Sequence, residues 1–218
     1  ERAYDILICI NRSPEFIATK LLHMTEEQAQ RIPTIVISEY DDSQRMRECF
    51  LMGAVDFLSE PVPADELIRA ITRSSEMIHM QLIDSEYEAA MDITLSAFAE
   101  SESLKPILEK LKEFLRSIDN QIATVEMAAD YFGFNRDYFG RYFKNKFGIT
   151  FGEYYKNFQM TYALLLLQTG QFKVMEISRI LGFSTPDYFT RVFRRYIGVS
   201  PSEVKRNPQL CRACQKNL

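Results

Sequence analysis

Tyr138-Phe-Gly-Arg-Tyr-Phe-Lys-Asn-Lys-Phe-Gly-Ile-Thr150 recurs fifty residues later as Tyr188-Phe-Thr-Arg-Val-Phe-Arg-Arg-Tyr-Ile-Gly-Val-Ser200. Self-similarity of this kind marks a duplicated supersecondary unit. Each copy follows a second amphipathic stretch. In the first, Val125, Ala128, Ala129 and Phe132 recur at helical spacing, with Thr124 placed to cap the N-terminus. In the second, Ile177, Ile180 and Leu181 do the same. Gly133-Phe-Asn135 and Gly182-Phe-Ser184 separate the stretches. Glycine supplies each turn, and Asn135 or Ser184 is expected to cap the helix that follows. Helix, glycine turn, helix is the helix-turn-helix plan, present twice.

Sorting the quoted segments by face separates core from surface. Phe139, Tyr142, Phe143 and Phe147 line one side of the first, and Phe189, Val192, Phe193 and Ile197 line the second. The opposite side carries Arg136, Asp137, Gly140, Arg141 and Lys144 in one copy. In the other it carries Thr185, Pro186, Asp187, Thr190, Arg191, Arg194 and Arg195. A helix face of arginines and small polar residues suits the DNA major groove, where arginine grips guanine O6 and N7 bidentately. Lys144, Arg194 and Arg195 are better suited to phosphates.

Charge divides the chain in the same place. The net charge over 218 residues is −4. Glu1–Ser103 holds 8 Lys+Arg against 20 Asp+Glu, and Leu104–Leu218 holds 18 against 10. An acidic half joined to a basic half argues for two domains, the basic one facing a polyanion. The longest apolar run, Ala163–Leu167, is far short of the ~20 residues a membrane span needs, so no membrane partner is expected. No signal peptide is visible, and Cys9 and Cys49 read as buried small hydrophobes, which fits a cytoplasmic protein. Cys211-x-x-Cys214 stands alone in a polar tail, too little for a zinc site. His23 and His79 lie in separate helical segments, with no nucleophile motif, phosphate loop or metal spacing. The chain reads as a non-enzyme that needs no cofactor and no metal.

The acidic half alternates strand and helix. Ile6–Ile10 and Thr34–Ser38 have the composition of strands buried on both faces, and Ala54–Leu58 is a third candidate. Helices are expected over 15–30, 42–52 and 63–77, which gives a parallel sheet with right-handed crossovers. A further helix over 81–101 connects the halves. Met77, Met80, Tyr87, Met91 and Phe98 form a heptad-like seam along it, suited either to a dimer coiled coil or to packing against one domain.

These residues resemble two families. Tyr4–Pro14, Ile32–Ser38 and Gly53–Pro61 are similar to the last three strands and their helices of bacterial response-regulator receiver domains. The resemblance implies a phosphoacceptor aspartate four residues before Pro14. Ile10 stands there, or Asn11 if the register slips by one, and neither is a suitable nucleophile. Glu60 stands where the family has a lysine that neutralises the phosphoryl group. Ser38 and Phe57 occupy the family's hydroxyl and switch-aromatic positions, and Glu60-Pro61 its X-Pro bond. The family's first two strands have no counterpart here, which leaves Ile6–Ile10 as an edge open to pairing.

The basic half closely resembles the AraC family of transcription regulators over about 104–207, including Gly182-Phe-Ser-x-x-x-Tyr-Phe189 and Gly198-Val-Ser-Pro201. That resemblance implies two helix-turn-helix units joined by a long helix, here 150–169, with the two charged faces approaching successive major grooves. Two departures stand out. Gln159 replaces an arginine, and Tyr162-Ala-Leu-Leu-Leu-Leu167 is more apolar than usual, with Leu164 or Leu165 either covered by the acidic half or exposed.

The fold expected is an α/β three-stranded parallel receiver-like fragment followed by an all-α domain with two helix-turn-helix units. The boundaries expected are residues 1–79, a helical linker 80–103, the DNA-binding domain 104–210 and a tail 211–218. The function expected is sequence-specific binding of double-stranded DNA by a transcription regulator that is not phosphorylated at the usual receiver position. The resemblance leaves room for RNA polymerase and for a second copy of the chain, bound through the receiver-like half or the linker helix. Two alternatives stay open: phospho-regulation through another acceptor, and an interaction module that has lost DNA binding. Arg141 and Arg191 discriminate, since buried ion pairs there would oppose DNA binding.

Overall fold

The computed structural model describes residues 6–12, 18–27, 32–40, 42–99, 101–118 and 122–207. The chain divides into two compact units, Glu1–Leu82 and Ile83–Leu218.

In the first unit, β1 (Leu7–Asn11), β2 (Thr34–Ser38) and β3 (Ala54–Ser59) form a parallel sheet in that order. The β-branched run of β2 makes it the central strand, buried at every position. Its side chains alternate between two cores. Val36 joins Cys9 and Phe57 beneath α1 (Ala18–Glu27) and α2 (Ser43–Leu51), together with Ala18, Leu22 and Cys49. Ile35 and Ile37 face the other way, onto Leu58 and Ala70 of α3 (Ala64–Ser96). Burial pushes the Cys49 thiol up to about 11, so it stays an uncharged core group.

The edge strand corrects one expectation. β1 is buried on one face only: Cys9 and Asn11 are covered, but Ile8 is 41% and Ile10 57% exposed. The ends of the helix expected over 15–30 lie outside the described residues, as does the tail with Cys211 and Cys214.

The helices expected over 63–77 and 81–101 are one. α3 runs unbroken to Ser96 because no glycine or proline interrupts it. Its residues from Ile83 onward belong to the second unit. Tyr87 packs edge-on against Phe158 and Tyr162 at 5.0 and 5.4 Å, and donates its hydroxyl to the Leu115 carbonyl at 2.7 Å. Met91 is fully buried and Phe98 meets Phe147 edge-on at 5.1 Å. The seam is therefore split: Met77 and Met80 stay exposed, while its C-terminal members are used inside the second unit.

After a 3-10 turn, Glu102–Leu104, α4 (Lys105–Ser117) is tied to α3 by a bidentate Arg116–Glu88 pair at 2.7–2.8 Å and by Lys112–Asp92. Then come α5 (Val125–Phe132), α6 (Arg136–Phe147), α7 (Phe151–Gln168), α8 (Val174–Ile180), α9 (Pro186–Ile197) and α10 (Pro201–Arg206). α7 contacts α6, α8, α9 and α10, which explains its apolar sequence. Leu164, Leu166 and Leu167 are fully buried and Leu165 half-buried, so no leucine of this run is exposed. No described helix is long and apolar enough to cross a membrane.

Capping boxes start α7 and α10. The Glu153 carboxylate accepts from the Thr150 amide and hydroxyl, both at 2.8 Å, and that of Glu203 accepts from the Ser200 amide at 2.6 Å. Bonds with Thr150 hold the Glu153 carboxyl, and bonds with the Ser200 hydroxyl foremost and then its amide hold the Glu203 carboxyl, below their ordinary value of 4.5. A folded value below the unfolded one contributes stability that is complete above about pH 4.5 and lost as pH falls through the lowered value. The melting temperature should therefore fall as pH is lowered from about 5 towards 3, and fall less steeply in a Glu153→Gln, Glu203→Gln double variant. Thermal melts across that range check this, and identical slopes would mean that the caps contribute nothing to the acid sensitivity.

Candidate nucleic-acid interface

Each helix-turn-helix unit is assembled by the same local devices. Thr124 Oγ1 accepts from the Met127 amide to start α5. Gly133 ends it with φ +75°, a left-handed conformation that residues with a Cβ adopt at a cost. Asn135 Oδ1 accepts from the Tyr138 amide at 2.9 Å to start α6. In the second unit Gly182 has φ +70°, but the cap of α9 is Thr185 rather than the expected Ser184. Thr185 Oγ1 accepts from the Tyr188 amide at 3.2 Å. From glycine to cap the second turn is one residue longer, and Pro186 sits at the first position of α9, where its fixed φ is pre-organised. The fifty-residue offset aligns Thr185 with Asn135.

The two faces separate as the spacing requires. Phe139, Phe143, Phe189 and Phe193 are fully buried, and Phe147 and Ile197 nearly so. Tyr142 and Val192 are half-buried. Opposite them, Asp137, Arg141, Lys144, Asp187, Arg191, Arg194 and Arg195 are exposed. Neither Arg141 nor Arg191 forms an ion pair among the described residues. Asp137 and Asp187 lie in the first turn of α6 and α9, where negative charge suits the helix dipole.

Not every residue on these faces is equally available. Arg136 Nε pairs with Glu126 of α5 at 3.0 Å, so contact with DNA would exchange one partner for another. Thr185 and Pro186 are exposed, but both have a local task in starting α9. Gly140 and Thr190 are half-buried. A Cβ added at Gly140 would meet nothing within 4 Å, so packing within the chain does not require a glycine there.

Two residues were missed by sorting the sequence into core and charged face. Tyr138 and Tyr188 are 47% and 48% exposed, and the Arg191 guanidinium lies 5.8 Å from the Tyr188 ring centroid. Their recurrence at the fifty-residue offset was the available signal. Gln159, one of the departures, has a structural role: its amide donates to the Leu181 carbonyl at 3.2 Å and accepts from Lys156 at 2.7 Å. Lys156 also lies 4.9 Å from the Phe183 ring centroid, so α7 holds the second turn from two sides.

At the carboxyl ends of the strands in the first unit, the register aligns Asn11, Ser38 and Ser59. In open parallel sheets this crevice is where ligands bind. Here the described charged side chains pair with one another. Arg12 donates to Glu60 through Nη2 at 3.1 Å and Nε at 3.3 Å, and lies 3.7 Å from Glu39. The two glutamates hold the Arg12 guanidinium above its ordinary value, Glu60 foremost. Ile10 projects no acceptor, Ser38 is buried with Oγ bonded to the Tyr40 amide at 3.1 Å, and Phe57 packs in the core. The Glu60–Pro61 peptide bond is cis.

Comparison with known proteins agrees with this construction. A helix-turn-helix domain family model matches residues 128–207. A response regulatory protein of Staphylococcus epidermidis is 26% identical over 176 residues, covering 79% of this chain and 68% of the relative. The transcriptional regulatory protein YesN of Bacillus subtilis is 31% identical over 141 residues, and the match covers 63% of this chain but only 36% of that protein. Among solved structures, the C-terminal domain of AraT, a response regulator from Geobacillus stearothermophilus, is 26% identical with a TM-score of 0.40, over 44% of this chain and 84% of that one. The second unit thus contains a stretch, residues 128–207, that matches a helix-turn-helix domain family, and the chain's relatives include response regulatory and transcriptional regulatory proteins.

Proposed function

We propose that this chain is a sequence-specific DNA-binding transcription regulator of the response-regulator type. α6 and α9 serve as its recognition helices. Asp137, Gly140, Arg141 and, once released from Glu126, Arg136 approach bases in one major groove. Thr185, Pro186, Asp187, Thr190 and Arg191 approach the next, while Lys144, Arg194 and Arg195 bind phosphates. The observation that carries this reading is the matched pair of exposed arginines, Arg141 and Arg191, with no carboxylate paired to either among the described residues. The receiver-like unit has no acceptor at Ile10, and Arg12 and Glu60 occupy each other where a phosphoryl group would need a cation.

Selection of bound sequences from a random duplex pool, repeated at two salt concentrations, tests both halves of the reading. One enriched motif with two separated blocks is expected. Affinity should fall by about 40-fold or more between 50 and 200 mM salt, as counterion release from the three phosphates assigned to Lys144, Arg194 and Arg195 requires. Acetyl phosphate should leave motif and affinity unchanged. An unenriched pool would overturn the DNA reading, and phosphate found by mass on the receiver-like unit would overturn the second half.

A further inference from the structure

Within the second unit, the C-terminal turns of α3 and the first half of α7 enclose a cavity of about 490 Å³, partly open to solvent. Ile93 and Phe98 line one side, Ile149 another, and Tyr154, Asn157 and Thr161 of α7 form the floor. This volume lies in the range of small-molecule sites, about 300–1,000 Å³. Buried polar groups of two lining residues lie just behind its wall. Thr161 is 1% exposed and its hydroxyl has no hydrogen-bond partner. The Tyr154 hydroxyl lies near Thr94 but forms no well-directed bond. Thr94 already donates to the Ala90 and Met91 carbonyls. An unpaired buried hydroxyl beside the cavity, that of Thr161, is costly in an empty protein. Among the described residues, no Asp, Glu, Lys, Arg or His lines the space.

We infer that this cavity is a binding site for a small uncharged organic molecule, largely apolar, with a carbonyl or amide group that pairs with Asn157. A charged ligand would have to leave water without a counter-charge, which the lining does not supply. The site is wired to the first recognition helix by its own walls. Phe98 packs on Phe147, and Tyr154 lies 5.9 Å from Phe143, both buried residues of α6. An occupant therefore contacts the rings that seat α6. The effect on DNA affinity rests on the proposed function, but binding itself does not.

The test uses the full chain with Nile red, an uncharged aromatic carbonyl compound, and isoleucine methyl ¹³C labels. Saturable 1:1 fluorescence enhancement is expected, with methyl shifts concentrated at Ile93 and Ile149. Ala97→Trp, which places a large side chain in the wall, should weaken binding by about tenfold or more while the melting temperature holds within a few degrees. Asn157→Leu should weaken it by about threefold. Shifts centred on Ile8, Ile10 or Ile68, affinity unaffected by Ala97→Trp, or no saturation would each overturn the site. Because these readouts need no DNA, a chain that binds Nile red here but selects no DNA would refute the proposed function alone.

Discussion

Replacing Phe143 by alanine should cost the second unit about 3–5 kcal/mol, the largest single-residue loss of stability expected in the chain. The side chain is fully buried and stands at the centre of a ring cluster. Its centroid lies 4.4 Å from Phe147, 5.5 Å from Phe151 in a perpendicular arrangement, 5.7 Å from Phe139 and 5.9 Å from Tyr154. Truncation leaves a cavity and removes every one of these ring pairs, whose other members belong to two helices. Phe193 occupies the matching place in the second repeat and is equally buried, but the ring packed on it among the described residues is Phe189 alone, at 5.6 Å. Each aromatic pair adds about 0.5–1.5 kcal/mol beyond area burial. Phe143→Ala should therefore exceed Phe193→Ala by at least about 1 kcal/mol. Urea unfolding of the two variants, followed by aromatic circular dichroism, measures the difference. Equal losses would mean that the rings around Phe143 contribute only buried area.

That contrast bears on what the sequence could reveal. The two helix-turn-helix units were legible because each of their devices is local. Left-handed glycines, capping side chains and apolar residues at i, i+3 and i+4 all act within a dozen residues. Turns of equal length would place Ser184 at the cap, and the helix-starting Pro186 moves it to Thr185. Pairings across the chain were not legible. Arg12 and Glu60 are 48 residues apart and meet only because the register of three strands brings their ends together. The amphipathic face of the connector showed that Tyr87, Met91 and Phe98 need a partner but not which one. Within the chain, Phe158 and Tyr162 of α7 receive Tyr87, and Phe147 of α6 receives Phe98. The apolar run of α7 has the same cause, since Tyr162–Leu167 is buried among neighbouring helices except for the half-buried Leu165. The enclosed space beside Asn157 and Thr161 has no sequence signal at all, because it depends on where two helices stop touching.

Arg141→Ala and Arg191→Ala, combined, should lower affinity for the selected DNA site by about 2–6 kcal/mol, because each bidentate grip on a base is worth roughly 1–3 kcal/mol. The two positions lie on different helices and share no described partner, so their effects should add to within about 0.5 kcal/mol. Neither side chain supports the fold. Both are exposed, and the only ring either approaches among the described residues is that of Tyr188, itself half exposed. Stability should hold while specificity is lost, the reverse of the pattern at Phe143. Arg194→Ala with Arg195→Ala supplies the comparison, because phosphate binding is indifferent to sequence. That pair should weaken selected and random DNA alike and reduce the slope of log affinity against log salt by about 0.9 for each phosphate no longer neutralised. The Arg141, Arg191 variant should instead keep most of its affinity for random DNA. Titrations of both variants against both duplexes at several salt concentrations separate the two roles. If Arg141→Ala and Arg191→Ala weakened both duplexes equally, these arginines would bind phosphate, and the reading of bases would pass to Asp137, Asp187 and the exposed tyrosines beside them.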